Sequence, residues 1–199
     1  MSEEKELPQG WAECELGELT SDISYGYTAK ASKQPVGPRM LRITDIQDNR
    51  VDWDSVPFCK ISEHEKVKYV LKNRDLVFAR TGATVGKSYL ISGDIPESVY
   101  ASYLIRVRCS IEPMAGYLKH YFRSRDYWDQ ITDFSAGIGQ PNVNGSKLKR
   151  LNIPLAPLNE QKRIADKLDT VLARVDSWIL SRGWKRSLKR IFRLPRPTG

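Results

Sequence analysis

The residues that could carry chemistry are few, and their spacing is wrong for it. Gly82-Ala83-Thr84-Val85-Gly86-Lys87-Ser88 offers glycines, a lysine and a hydroxyl in the order of a phosphate-binding loop. The three residues between its glycines are one fewer than such a loop needs for successive N–H groups to wrap the phosphates. A strand-like run, Tyr89-Leu90-Ile91, also follows where a helix N-terminus is required. The two histidines, His64 and His120, lack a second ligand at metal spacing, and no Ser or Cys nucleophile sits in a recognisable elbow. Gly137-Ile138-Gly139 runs into Gln140-Pro141, which cannot open the helix of a dinucleotide fingerprint. Cys14, Cys59 and Cys109 are odd in number and far apart, so they are expected as reduced, buried thiols and not as a disulfide frame or zinc knuckle. There is no Asp-Pro-Pro-Tyr or Asn-Pro-Pro-Tyr run of the kind that amino-methyltransferases use, and no Pro-Asp dipeptide to open a common nuclease motif. The expectation is a chain with no catalytic residues and no metal site.

A chain without a reactive centre works through its surface, which depends on the elements beneath. Met40-Leu41-Arg42-Ile43 leads into Thr44-Asp45-Ile46, and a turn at Asp48-Asn49-Arg50 precedes Val51-Asp52-Trp53. Asp75–Ala79 and Ser88–Ile91 read as two strands joined by the glycine-rich loop, and 101–108 as another, with Tyr103, Ile105 and Val107 on one face. A helix is predicted over roughly Met114 to Ile131, then a Gly/Asn-rich loop over 136–145. Ile153-Pro154-Leu155-Ala156-Pro157-Leu158 reads as an extended linker, because each proline biases its predecessor away from helix. A helix capped by Asn159 follows, with no breaker before Gly183. Within it Ala165, Leu168, Leu172, Val175 and Ile179 alternate three and four apart, the seam of a coiled coil, and Ile164, Val171 and Trp178 widen the stripe. The stripe fits pairing with another helix; packing on its own domain is the alternative. The fold class is α+β: a strand-rich domain over 1–156, then a long C-terminal coiled-coil-type helix with a basic tail over 157–199.

Composition narrows the partner. The net charge is +8 and the pI about 9.4, which favours a polyanion such as nucleic acid. From Arg182 to Gly199 there are seven Lys or Arg and no acid. An apolar fraction of 40% can bury a core, and no run is long and apolar enough for a membrane span. The polar, acid-bearing start, Met1 to Glu6, reads as neither signal nor transit peptide, so a cytoplasmic location is expected.

Several segments, taken in order, resemble the DNA specificity subunit of type I restriction-modification systems, in particular one of its two target-recognition halves. Leu7-Pro8-Gln9-Gly10-Trp11 with Leu16-Gly17-Glu18 is similar to that family's domain entrance, and 74–87 to its central strand-loop-strand. Ala101-Ser102-Tyr103-Leu104-Ile105-Arg106 fits the strand that follows. Gly139-Gln140-Pro141-Asn142-Val143-Asn144 and 153–161 resemble its exit loop and the start of its spacer helix. The resemblance implies a subunit that catalyses nothing itself and reads one part of a split duplex target. Separate modification subunits then methylate adenine with S-adenosylmethionine, and a restriction subunit uses ATP and Mg. It also implies two recognition domains joined by antiparallel helices, whereas this sequence carries one of each. A half-subunit, a truncation or a fragment is therefore expected, with a second copy or the other half of the subunit as a further partner.

Such a domain would take affinity from phosphate contacts and discrimination from base edges. The candidate contacts are Tyr25, Tyr27, Lys30, Lys33 and Arg39 in one segment, Arg80, Thr81, Thr84 and Lys87 in a second, and Gln140, Asn142, Asn144 and Lys147 in a third. Gly26 would permit close backbone approach. A competing reading is an interaction protein that does not bind DNA. It would dock through the basic amphipathic end, with Trp184, Leu188, Ile191 and Phe192, on an acidic surface or a membrane.

Overall fold

The computed structural model describes residues 6–111, 114–135 and 142–181. Gln140, the Gly137–Gly139 run and the basic tail from Arg182, with Trp184, Leu188, Ile191 and Phe192, lie outside these residues. The chain divides into two units, Met1–Lys162 and Arg163–Gly199.

In chain order the strands are β1 (Ala12–Glu15), β2 (Thr20–Tyr25), β3 (Arg39–Leu41), β4 (Ile46–Gln47), β5 (Arg50–Val51) and β6 (Leu76–Ala79). They continue with β7 (Ser88–Leu90), β8 (Ser98–Tyr100), β9 (Leu104–Cys109) and β10 (Asn152–Leu155). The helices are α1 (Glu63–Tyr69), α2 (Met114–Tyr121), α3 (Arg125–Ser135), α4 (Gly145–Lys149) and α5 (Leu158–Ser181). The mixture is the expected α+β.

The main sheet is antiparallel, in the order β2-β9-β6-β7. All four residues of β6, Leu76, Val77, Phe78 and Ala79, are buried, because both faces of this central strand are covered. On one face Phe78 meets Phe122 edge-on at 4.9 Å, and Phe122 meets Tyr127 at 5.2 Å. On the other, Val77 and Leu104 join Leu41, Val56, Ile91 and Tyr100 in a second cluster. The turn read at Asp48-Asn49 closes the β4–β5 hairpin with positive φ at both residues, 49° and 58°, as a tight hairpin turn demands.

Buried charges in the sheet are matched. Arg106, 5% exposed, donates to Asp22 at 2.6 Å, to Ser24 Oγ at 3.1 Å and to the Val70 carbonyl at 2.9 Å. Arg108 forks onto Asp75 at 2.7 and 2.8 Å. Burial pushes the Asp22 carboxyl up, but bonds from Arg106 and Ser24 outweigh it and hold it below the ordinary value. Its contribution to stability is therefore present above the unfolded-state carboxylate range and is lost as pH falls through the lowered value.

Four local expectations are corrected. The helix foreseen over Met114 to Ile131 is two helices, α2 and α3, broken at 122–124. Ser124 Oγ accepts from the Tyr127 N–H at 3.3 Å, a helix cap in the middle of an amphipathic run. The proline-rich "linker" is the strand β10, paired with β1 from Ala12–Leu155 to Glu15–Asn152, with Ile153 fully buried. The long helix opens one residue before Asn159: the Pro157 carbonyl accepts from Glu160 and Gln161 N–H at 2.8 and 2.9 Å. Finally, Tyr103 does not share a strand face with Ile105 and Val107. It sits in the turn before β9, 67% exposed.

The glycine-rich loop tests the packing. Gly82 and Gly86 hold φ of +75° and +80°, but a Cβ on Gly82 meets open space whereas one on Gly86 lies 2.7 Å from Ile131 Cγ2. Gly82→Ala should cost about 1–2 kcal/mol from the left-handed backbone alone. Gly86→Ala should cost about 2–5 kcal/mol, since crowding adds to the same strain. Urea denaturation of the two variants checks the order.

Candidate nucleic-acid interface

The three candidate segments converge on Arg80. Its N–H donates to the Tyr103 carbonyl at 3.2 Å, and its carbonyl accepts from the Val143 N–H at 2.9 Å. The next residue, Thr81, bridges antiparallel to Asn142. The Arg80 guanidinium lies over the Tyr25 ring, 4.8 Å from its centroid, and the Tyr25 hydroxyl accepts from the Gly145 N–H at 2.9 Å. Among the described residues, Arg80 Nε is buried without a hydrogen-bond partner. Tyr25, Arg80, Thr81 and Asn142 thus form one patch from three distant stretches of sequence.

Several candidate side chains are engaged by the fold. Arg39 donates to the Val56 and Asp54 carbonyls at 2.8 and 3.1 Å and stacks on Phe58. Asn144 caps α4, its Oδ1 accepting from the Lys147 N–H at 2.8 Å. The Lys147 ammonium donates to the Phe134 carbonyl and, at 3.2 Å, to that of Asn142. Gly26 is crowded by its own protein, since a Cβ there would fall 2.3 Å from the Ala101 carbonyl oxygen; its close approach serves the fold. Tyr27 bridges to Ala101 and packs its ring 5.1 Å from that of Tyr69.

Other candidates are open to solvent. Lys30, Lys33 and Lys87 are exposed. Thr84 lies in the short turn Gly82–Thr84, which leads through Gly86 into β7. That path lacks the geometry of a phosphate loop: the N–H groups of Val85, Gly86 and Lys87 are bonded to the Gly82, Ala79 and Thr84 carbonyls, and a strand follows where a helix is needed.

Beside the patch an open cavity of about 550 Å³ lies between Tyr27, Arg42, Thr44, Thr81, Ser102 and Tyr103. A second, of about 480 Å³, shares Ala31 and Arg42 and extends to Lys33 and Phe58. Arg42, Ser102 and Tyr103 escaped sequence reasoning. Arg42 and Ser102 are isolated polar residues in runs that read as strand, and the alternation of 101–108 grouped Tyr103 with Ile105 and Val107 on one strand face. Arg42 is held by Asp45, which accepts from its Nε at 3.0 Å and its Nη2 at 2.6 Å and raises the guanidinium pKa.

Cys14, Cys59 and Cys109 are free thiols; Cys59 is buried as expected, whereas Cys14, within β1, and Cys109, at the end of β9, are only half-buried. Burial pushes all three up, Cys109 to about 12, which favours the protonated thiol near neutral pH. Among the described residues no group of three or more His, Cys, Asp or Glu could hold a metal ion, and no helix is long and apolar enough to cross a membrane. The surface offers exposed cations, an arginine over an aromatic ring, and hydroxyl groups around a cleft. These suit an anionic, hydrogen-bonding partner.

Comparison with known proteins gives this surface a family. Residues 8–177 match the type I restriction modification DNA specificity domain. A putative type I restriction enzyme MjaX specificity subunit from Methanocaldococcus jannaschii is 29% identical, over 94% of this chain and 46% of its own length. The type I restriction enzyme EcoKI specificity subunit of Escherichia coli K12 is 30% identical, over 86% of this chain and 38% of its own length. The chain therefore spans less than half the length of these relatives. The HsdS subunit from Thermoanaerobacter tengcongensis shares the fold, with a TM-score of 0.67 at 22% identity over 95% of this chain and 44% of that one. A chain from a type I restriction-modification assembly does so with a TM-score of 0.72, also at 22% identity, over 96% of this chain and 46% of that one. With its family match running from the domain entrance well into α5, the chain belongs to the type I restriction-modification DNA specificity family.

Proposed function

We propose that this chain is a sequence-specific DNA-binding specificity unit that reads one part of a split duplex target. It directs a methyltransferase subunit and a restriction subunit to that target and performs no chemistry itself. The observation that carries this reading is the family match over residues 8–177, which takes in the whole Arg80-centred patch. The exposed Lys30, Lys33 and Lys87 would neutralise phosphates, and the cleft beside Arg80 would face base edges. S-adenosylmethionine, ATP and Mg would be bound by the partner subunits and not by this chain, and the complex would act in the cytoplasm.

The direct test is a gel-shift titration of the chain, assembled with its methyltransferase partner, against a randomised duplex pool. Enrichment of one short sequence is expected, with methyl transfer only when the partner is present. Equal retention of all duplexes, or methylation by the chain alone, would defeat the proposal.

Phosphate contacts carry a salt signature. Lys30→Ala with Lys33→Ala should weaken binding to all duplexes alike and lower the slope of log affinity against log salt by about one for each lysine. Titrations at several salt concentrations check this, and an unchanged slope removes both assignments.

Pairing through α5 is the second part of the proposal. Its stripe is open, from 38% exposure at Leu168 to 49% at Trp178, with Val171, Leu172 and Val175 between, while Ala165 is buried. A helix of 24 residues with such a stripe fits a partner helix from a second copy or from the other half of a full subunit. Leu168→Asp with Leu172→Asp should abolish that association in analytical ultracentrifugation; identical sedimentation of variant and parent would exclude the seam.

A further inference from the structure

The turn carrying Tyr103 is fixed on every side, yet its ring contributes little to the fold. The Leu104 N–H closes the turn on the Ala101 carbonyl at 2.8 Å, and the Tyr103 carbonyl accepts from Arg80 at 3.2 Å. The Ser102 N–H donates to the Tyr27 carbonyl at 3.0 Å, and the Ala101 N–H to that of Leu41 at 2.9 Å. The backbone is therefore held by three separate segments while the side chain stands 67% exposed at the lip of the 550 Å³ cleft. Most other tyrosines of the domain are engaged: Tyr100 and Tyr127 are wholly buried, and the hydroxyls of Tyr117, Tyr121 and Tyr25 each hold a backbone group.

Resting on the DNA-reading function proposed above, we infer that Tyr103 is a specificity-determining residue that enters the groove of bound duplex and contacts base edges from the rigid 101–104 turn. Three features carry this. A tyrosine has two side-chain torsions to order, so a large contact forms at small entropic cost when its backbone is already fixed. Its ring offers apolar area to a thymine methyl or sugar, and its hydroxyl both donates and accepts at a base edge. Thr81 lines the same cleft and adds a second hydroxyl, beside Arg80, whose N–H is bonded to the Tyr103 carbonyl. Lys30 and Lys33 are exposed lysines of the preceding loop, suited to the backbone instead.

The test uses the chain assembled with its methyltransferase partner and a randomised duplex pool. The pool first defines the sequence enriched by the parent protein; affinities for that duplex and for an unrelated one are then measured. In Tyr103→Ala and Tyr103→Ser the ratio of the two affinities should fall about ten-fold or more, with the thermal midpoint held, while Tyr103→Phe keeps most of the ratio. Parental ratios in both the alanine and serine variants would overturn the inference and leave DNA reading intact. A fall seen only together with a lowered melting temperature in both would overturn it too, as a folding effect. If the parent protein enriches no sequence, DNA reading itself fails and takes this inference with it.

Discussion

The peptide group of Arg80 is the point at which three distant parts of the chain become one surface. Its N–H reaches the turn before β9 and its carbonyl reaches Val143, two residues before α4. Both bonds leave from the end of β6, a central and fully buried strand, so the loops are seated on a rigid part of the molecule. Loss of either bond would leave a backbone group to find another partner, at about 1–3 kcal/mol if it stayed buried. A recognition surface made of loops needs such a seat, because contacts displaced by even an ångström lose the directionality on which hydrogen-bond readout depends.

The seat depends in turn on how the sheet manages charge. Arg106 pairs in register with Val77 of β6 and projects onto the face whose core includes Tyr100 and Leu104. A cation there without partners would be strongly unfavourable. Asp22, Ser24 and the Val70 carbonyl together satisfy it, tying β2 to β9 through side chains as well as backbone. Arg108 and Asp75 do the same between β9 and the residue that opens β6. These pairs bring specificity of register more surely than net stability, since desolvating the charges offsets much of their attraction.

Period and composition made part of this legible. The strands at Leu76–Ala79 and Ser88–Leu90, the hairpin at Asp48-Asn49 and the long final helix were all readable, because each rests on local rules of alternation, turn chemistry or helical repeat. Long-range constraints were less visible. Nothing near Ile153-Pro154-Leu155 announces that Ala12–Glu15 will pair with it, and only that pairing turns a proline-rich stretch into a strand. Ser124 was a legible cap hidden because the helical spacing of Tyr121, Phe122 and Trp128 runs on across it. For the candidate site, the segments were found but not the roles within them: Asn144 and Lys147 have the right chemistry for DNA and are occupied by a helix cap and two carbonyls. Tyr103 was missed for the converse reason, since an exposed aromatic in an alternating run has the pattern of a core residue.

The distribution of the basic residues bears on what salt can do to this protein. Arg39, Arg42, Arg106 and Arg108 all reach carboxylates or carbonyls of the fold, whereas Lys30, Lys33 and Lys87 are left to solvent. The net charge of +8 therefore does not by itself say which cations meet a partner. It also separates the two functions of positive charge. Forked, partly buried arginine pairs are weakly screened, and exposed lysines meet phosphate in the range where counterions compete most strongly. Under the proposed function, rising ionic strength should release duplex from the surface well before it loosens the sheet. The sheet's charges are matched internally, whereas Lys30, Lys33 and Lys87 stand exposed.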